Sequence, residues 1–300
     1  PDNGLLPFIC RLDNEDEAKT PELWVKANPS LPFRPELMTQ IEKDWVECQR
    51  NPSLYSAFMT KRMNIPKGNK DTEVTDWENV KATNRPIPDL KGCTCVAGID
   101  FARSEDFVAA GLLFKIGEIR YWISHTFVCL ASADLKRIKA PLKDWANAGL
   151  LEFVDGVEIP AVMVTRWLTD KMADYNITNL GIDQFRYSFL TSELEKIGFD
   201  AKGARKNIKL VRPTNQQYAE PIINSMFLNQ QIIWGDNPLM RWYTGNTKKV
   251  TSAHGNFCYD KIEPKSRKTD GFMALVSAMT FDTELVSKQE PPPILDAFVF

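Results

Sequence analysis

Residues 94–129 read TCVAGIDFARSEDFVAAGLLFKIGEIRYWISHTFVC. The stretch contains three runs rich in apolar, β-branched and aromatic residues, TCVAGID, FVAAGLLF and EIRYWISHTFV, with short turn-like links between them. Runs of this length and composition, bounded by turn residues, are typical of β-strands. Because short links join antiparallel rather than parallel neighbours, the stretch predicts an antiparallel meander of three strands.

After the meander, the sequence alternates between helical and strand patterns. We predict helices over about 132–147, 161–175, 187–197, 216–229 and 270–281, and strands over about 150–154, 177–183 and 208–211 and near residues 232 and 257. A meander followed by alternating helices and strands is typical of a mixed sheet with helices on its faces. The predicted fold class is therefore α/β, with a mixed sheet covered by helices on both faces.

Three regions are predicted along the chain. Residues 1–90 are rich in proline and asparagine, with an amphipathic helix over Pro35–Arg50 and a second short helix after it. The run RPIPD at 85–89 reads as a linker, so a domain is predicted over 91–285. The tail, 286–300, contains three consecutive prolines and is predicted to be disordered or bound to a partner.

Composition limits the classes of function. The net charge of −2 argues against a protein that coats nucleic acid with its whole surface, but it leaves room for local basic patches. The sequence contains neither a run of eighteen apolar residues nor a signal peptide, so we expect a cytoplasmic protein without a membrane partner. Six cysteines without CxxC spacing read as reduced thiols.

Three aspartates occupy positions from which side chains can meet. Asp100 ends the first strand of the meander, Asp183 ends a later apolar strand in the same GID phrase, and Asp270 opens the last predicted helix. Because sites in such sheets form at the carboxyl ends of strands, we predict that the three carboxylates lie at one edge. Each aspartate alone has a simpler reading, as a turn residue or a helix N-cap. Asp106, at the start of the next strand, is an accessory candidate.

A cluster of carboxylates favours a divalent metal centre. Like charges raise one another's pKa, and a divalent cation offsets their repulsion. Oxygen ligands without histidine favour Mg²⁺ or Mn²⁺ over Zn²⁺. Two such ions about 3.5–4 Å apart activate water and stabilise the leaving oxygen in phosphodiester hydrolysis. We therefore predict Asp100, Asp183 and Asp270 as catalytic residues and as ligands of two Mg²⁺ or Mn²⁺ ions, with Asp106 as a further candidate ligand.

Basic residues concentrate in two stretches of the C-terminal half. We predict that they hold DNA by its phosphates, although a solvated face is the simpler reading of such a run. His254, next to Gly255, is a further candidate DNA contact. The predicted DNA-binding residues are Lys202, Arg205, Lys206, Lys261, Lys265, Arg267 and Lys268.

Three motifs in series resemble the nuclease domain of tailed-phage terminase large subunits. They are GIDFARSEDF at 98–107, NLGID at 179–183 with a predicted helix and IGF after it, and GNFCYDKIEPKSRKTDGFMALVSAM at 255–279. The earlier string ELWVKANPSL, with LDNEDE before it, is similar to the segment that follows the ATPase domain in that family. The resemblance implies a ribonuclease H-like fold whose acidic triad corresponds to the three aspartates named above.

The resemblance also implies a function and partners. It implies a metal-dependent endodeoxyribonuclease that cuts concatemeric double-stranded DNA in the host cytoplasm, with the phage portal and the small terminase subunit as partners. Such proteins carry an ATP-driven motor, but these residues contain no G-x-x-x-x-G-K-[ST] loop. The nearest string, Gly198–Arg205, has both glycines and lacks the lysine and hydroxyl that follow them in a phosphate-binding loop. We therefore expect no ATPase site here and a chain that is part of a longer protein.

Two other interpretations remain open at this point. A transposase or resolvase-type nuclease of the same fold would use the same carboxylate cluster, but the ELWVKANPSL segment disfavours it. A non-catalytic DNA-binding or docking module would carry the aspartates for structural reasons. Metal-dependent plasmid cleavage separates that module from an enzyme.

Overall fold

The computed structural model of the protein describes residues 8–51, 54–65, 72–102, 106–251 and 255–287. Contacts divide the chain into two units, Pro1–Thr72 and Glu73–Phe300. All six cysteines are free. Within the described ranges, none of the helices is long and apolar enough to cross a membrane.

The first unit is a small helical assembly around a buried tryptophan. The α-helices of its described residues are α1 (Pro35–Arg50) and α2 (Tyr55–Arg62), and α1 spans the residues predicted for it. Trp24 is fully buried, and its ring centroid lies 6.5 Å from that of Trp45 and 6.2 Å from that of Phe58. Because α1 presents its apolar positions at helical spacing, one face of it closes this core.

The second unit is built on a seven-stranded mixed sheet. Its strands are β1 (Thr94–Asp100), β2 (Phe107–Ile116), β3 (Ile119–Cys129), β4 (Leu151–Val154), β5 (Asn176–Asp183), β6 (Ile208–Val211) and β7 (Ile232–Ile233). They lie in the order β4-β3-β2-β1-β5-β6, with β7 beside β3. The pairs β1–β2 and β2–β3 are antiparallel, whereas the other pairs are parallel. The predicted meander and mixed sheet are confirmed.

Helices cover both faces of this sheet. The remaining elements are α3 (Trp77–Lys81), α4 (Leu142–Asn147), α5 (Ala161–Met172), α6 (Thr191–Lys196), α7 (Pro213–Leu228), α8 (Pro238–Asn246), the hairpin strands β8 (Thr247–Thr251) and β9 (Phe257–Lys261), and α9 (Asp270–Met279). Helices α5 and α6 pack on one face through Leu168 and Leu194. Helices α7 and α9 pack on the other face through Ile223 and Leu275. The predicted α/β class, with both faces covered, is confirmed.

Some predicted elements differ from the observed ones. The single helix predicted over 132–147 is wrong: a 3-10 turn at Ala133–Lys136 is followed by α4 after Pro141. Proline has no backbone N–H and disfavours helical geometry in the residue before it, so the helix cannot run through. Helix α8 and strand β8 were not predicted, because α8 contains Gly245 and the TKKVT of β8 lacks an apolar pattern.

The second unit also begins before the predicted domain start at 91. Val74 and Val80 are buried in the same core cluster as Phe227 and Met240. Helix α3 therefore belongs to this unit, although the run RPIPD follows it. Prolines in that run prevent a helix or strand, but the residues before it still pack into the core of the second unit.

Helix α9 lies directly on β1 and β5 at two glycines. A Cβ atom built on Gly98 would lie 2.0 Å from the carbonyl oxygen of Ala274, and one built on Gly181 would lie 2.3 Å from that of Ser277. The two glycines are partners in the parallel β1–β5 ladder. A side chain at either position would therefore push the helix away from the sheet.

We expect Gly98→Ala to lower the free energy of unfolding by about 3 kcal/mol, because a methyl group there would overpack against helix backbone. Urea unfolding monitored by circular dichroism measures the change. The matched control is Gly245→Ala in α8, where a Cβ atom meets nothing within 4 Å and alanine should stabilise the helix by up to about 1 kcal/mol. Equal stability of the two variants would contradict the close approach.

Candidate metal centre

The sheet delivers two aspartates to one edge. Strands β1 and β5 are parallel and Ile99 pairs with Ile182, so Asp100 and Asp183 follow at matching positions. Both isoleucines are buried in the core that includes α5 and α6. Because successive side chains of a strand alternate between faces, both aspartates belong to the opposite face.

That opposite face carries α9, whose first residue is Asp270. The helix lies over Gly98 and Gly181, each two residues before an aspartate on its own strand. Asp100, Asp183 and Asp270 line a single cleft of about 570 Å³. The structure thus brings together the three carboxylates that the sequence predicts as a cluster.

Further charged and aromatic residues line the same cleft. Asp106, which precedes β2, adds a fourth carboxylate. Arg186 and Lys261 contribute positive charge, and Phe185 and Tyr259 contribute aromatic rings. The cleft therefore combines acidic groups with cations that can attract a polyanion.

Burial and mutual repulsion perturb the two innermost carboxyls. Burial, followed by the charge of Asp270, raises the pKa of Asp100 well above its ordinary value. Burial, followed by the charge of Asp106, raises the pKa of Asp270 from 3.8 to about 6. The positive charge of Lys261 acts against both shifts. The pair is costly to ionise together unless more positive charge is supplied.

One carboxylate oxygen lacks any partner among the described residues. Asp270 Oδ2 is buried and makes no hydrogen bond there, and an unsatisfied buried acceptor costs free energy. A hard divalent cation takes oxygen ligands from carboxylates, so such an ion would satisfy this atom and relieve the repulsion between Asp100 and Asp270. In chemical type, these oxygen donors are the ligands that divalent metal centres use.

The carboxylates do not form a closed set of ligands. In the described part of the chain, no three His, Cys, Asp or Glu side chains are grouped closely enough to hold a metal ion. Protein donors hold two of the acids instead. Asp106 Oδ1 accepts a hydrogen bond from Lys268 Nζ at 2.5 Å, and Asp183 Oδ1 accepts from the backbone N–H groups of Phe185 and Arg186 at 2.9 and 3.2 Å.

Lys268 corrects a prediction. The sequence predicts it as a DNA contact, but only 1% of the residue is exposed, and its ammonium lies 2.5 Å from Asp106 and 2.8 Å from Asp134. Burial lowers the pKa of Lys268, but its hydrogen bonds to Asp106 and Asp134 and the negative charges of Asp106 and Asp270 together outweigh burial, so the pKa is raised overall. A buried ammonium needs carboxylate partners, and Lys268 is therefore unavailable to a phosphate.

The other predicted DNA contacts fall into two places. Lys261 lines the cleft, and Lys265 and Arg267 are exposed on the segment that leads into α9. Lys202, Arg205 and Lys206 are exposed on the loop before β6. Because β6 is parallel to β5, that loop lies at the sheet edge opposite the cleft, so these three are not brought to it. His254 lies outside the described residues.

Sequence reasoning missed several residues of this region. Arg186 and Phe185 lie on the turn directly after Asp183, and Asp134 holds Lys268. The position of DQFR at the end of a strand could have identified the first two, since such turns line sites in α/β sheets. No local pattern links Asp134 to a lysine 134 residues away in sequence.

Comparison with known proteins identifies a family. The model for "Terminase large subunit, endonuclease domain" matches residues 2–284. No curated protein sequence matches the chain.

Solved structures of phage terminases are similar in fold. The HK97 bacteriophage large terminase matches with a TM-score of 0.60 and 19% identity over 91% of this chain and 56% of that one, so the chain spans about half the length of that protein. The large terminase nuclease from thermophilic phage G20c gives a TM-score of 0.44 and 10% identity over 69% of this chain and 97% of that one. The same nuclease with bound magnesium gives a TM-score of 0.44 and 10% identity over 70% of this chain and 97% of that one.

The raised pKa of Asp270 predicts a pH-dependent stability in EDTA. The folded protein holds a proton that the unfolded chain releases, so this contribution to stability is fully present below the unfolded pKa of 3.8 and is lost as pH rises through about 6. Asp270→Asn has no such loss. As pH rises from acid to neutral, the free energy of unfolding of the Asp270→Asn variant should therefore increase by up to about 3 kcal/mol relative to that of the unsubstituted protein. Urea unfolding over that range measures the gain, and the exposed Asp155→Asn control should show none.

Lys268→Met should destabilise the fold by about 3 kcal/mol, because it leaves Asp106 and Asp134 without their buried counter-charge. The nearby exposed Lys265→Ala should change stability by no more than about 0.5 kcal/mol. Thermal unfolding of the two variants compares them directly. Similarly small losses of stability in both variants would contradict the buried ion pairs of Lys268.

Proposed function

The chain belongs to the terminase large-subunit endonuclease domain family, and we propose that it is a metal-dependent endodeoxyribonuclease of phage DNA packaging. Its substrate is concatemeric double-stranded DNA, which it cuts by hydrolysis of phosphodiester bonds. The observation that carries the proposal is the convergence of three aspartates at one cleft, where a buried oxygen of Asp270 has no hydrogen-bond partner in the described chain.

Asp100, Asp183 and Asp270 are the residues that would hold two Mg²⁺ or Mn²⁺ ions, with Asp106 as an accessory ligand. When bound, such ions lower the pKa of water and stabilise charge on the leaving oxygen. Among the residues that the structure describes, no histidine or cysteine lines the cleft, which supports oxygen-preferring metals. Asp270 is buried and Asp100 is half-buried, and reduced contact with water strengthens the attraction of a carboxylate for a cation.

Basic side chains would position the DNA strand. Lys261 lines the cleft, and its charge lowers the pKa of both Asp100 and Asp270, which favours the ionised forms that bind metal. Arg186, which lines the cleft on the turn after β5, offers a planar guanidinium for a phosphate. Lys265 and Arg267 are exposed beside the start of α9 and would extend the phosphate contacts.

We propose further partners for the whole protein on family membership. These are the phage portal and the small terminase subunit, in the host cytoplasm. For Lys202, Arg205 and Lys206, their exposure on one loop supports a separate phosphate contact at the other edge of the sheet.

Plasmid cleavage in Mn²⁺ tests the assignment. Asp100→Asn, Asp183→Asn and Asp270→Asn should each reduce cleavage by more than about 100-fold, since loss of outer-shell partners alone costs about 10–100-fold in metal sites. Asp106→Asn should cost about tenfold by the same comparison.

The control variant is Asp155→Asn, whose carboxylate is exposed and outside the cleft lining; it should cut at the unsubstituted rate. Circular dichroism confirms that each variant is folded. Undiminished cleavage by all three cluster variants would refute the catalytic assignment, and failure of the unsubstituted protein to cut DNA would favour a non-catalytic docking module.

A further inference from the structure

Phe185 is an aromatic side chain that is largely exposed inside a polar cleft. Its residue is 78% exposed, yet it lines the same cleft as Asp100, Asp183 and Asp270. An isolated exposed apolar residue on a protein surface is ordinary. An exposed ring on the rim of a cleft for a polyanion is different, because neither a phosphate nor a metal ion is recognised by a phenyl ring.

The turn that carries Phe185 is held firmly. The carboxylate of Asp183 accepts hydrogen bonds from the backbone N–H groups of Phe185 at 2.9 Å and Arg186 at 3.2 Å. The backbone N–H of Gln184 donates to the carbonyl of Val211 at 3.1 Å. These contacts tie the turn to the ends of β5 and β6, so the backbone below the exposed ring has a fixed position.

A further contact holds the same turn through the side chain of Gln184. The side-chain oxygen of Gln184 accepts a hydrogen bond from Arg212 Nε. Ordering a contact residue before binding reduces the entropy that binding would otherwise cost. The ring is thus displayed at the cleft on a preorganised support and next to Arg186, which is also exposed.

Nucleic acid offers two kinds of surface that match this pair. Phosphates match the guanidinium of Arg186, and the flat apolar faces of the bases match the ring of Phe185. Proteins that hold DNA strands without reading sequence combine positive charge with aromatic stacking in this way. A phenyl ring can also enter between base pairs of a duplex and unstack one step, where its face stacks on the adjacent base.

We propose that Phe185 stacks on a nucleobase of the DNA strand in the cleft, while Arg186 contacts a phosphate of the same strand. The inference rests on the proposed function and specifies how that site grips its substrate. Stacking on a base face tolerates every base, so the contact holds the strand without selecting a sequence. In a duplex, the ring occupies the space left by one opened base step.

Binding to a short fluorescent DNA duplex in EDTA, where no strand is cut, tests the proposal by anisotropy. Phe185→Ala should weaken affinity about tenfold, the size expected for loss of one stacked base. Because no charge is lost, the slope of log Kd against log salt should not change. Phe185→Trp should bind like the unsubstituted protein, whereas Phe185→Leu should bind like the alanine variant.

Two controls accompany these variants. Arg186→Ala should reduce the salt slope by about one, which distinguishes a phosphate contact from a stacking contact. Phe33→Ala removes a ring that is 85% exposed and lies in the first unit; it should leave affinity unchanged. Circular dichroism spectra and melting temperatures should agree among all variants, since each substituted side chain is exposed.

The outcomes are distinguishable. Unchanged affinity in Phe185→Ala, or full affinity in Phe185→Leu, overturns the stacking inference. In that case, DNA cleavage by the unsubstituted protein still supports the proposed function. If the unsubstituted protein neither binds the duplex nor cuts plasmid in Mn²⁺, the proposed function fails and this inference fails with it. A tenfold loss that tryptophan restores and leucine does not supports the inference.

Discussion

The close approach of α9 to the sheet is the constraint on which the site depends. At Gly98 and Gly181, the helix backbone occupies the space where a Cβ atom would be. A helix packed over ordinary side chains would lie farther from the sheet, and its first residue would lie farther from the strand ends. The glycines two residues before Asp100 and Asp183 therefore make it possible for Asp270 to share their cleft.

This geometry gathers carboxylates in a partly buried cleft, and two lysines neutralise part of their negative charge. Lys268 is buried between Asp106 and Asp134, and Lys261 lines the cleft. The compensation is incomplete, because the pKa values of Asp100 and Asp270 remain raised. A cluster that is left short of positive charge has a stronger affinity for cations than one that protein side chains neutralise.

The sequence predicts those parts of the fold that depend on local patterns. The strand runs of residues 94–129 and the repeated GID phrase are local. They led to the correct meander and to three aspartates that line one cleft. Lys268 follows exposed basic residues in sequence, so its burial depends on contacts that only the fold defines. Lys202, Arg205 and Lys206 were predicted to bind DNA together with the residues of the cleft. They precede β6, whose carboxyl end points to the cleft, so their loop lies at the other end of the strand. The sequence alone does not show the direction of β6.

Asp183 links the electrostatics of the cleft with its shape. Its carboxylate accepts the backbone N–H groups of Phe185 and Arg186, and it also faces the cleft as a proposed metal ligand. An asparagine there keeps a side-chain oxygen that can accept those N–H groups, but it removes the charge. An alanine removes both. A difference between the two substitutions in DNA affinity without metal would therefore report on the turn, whereas a loss common to both in metal-dependent cleavage would report on the carboxylate charge.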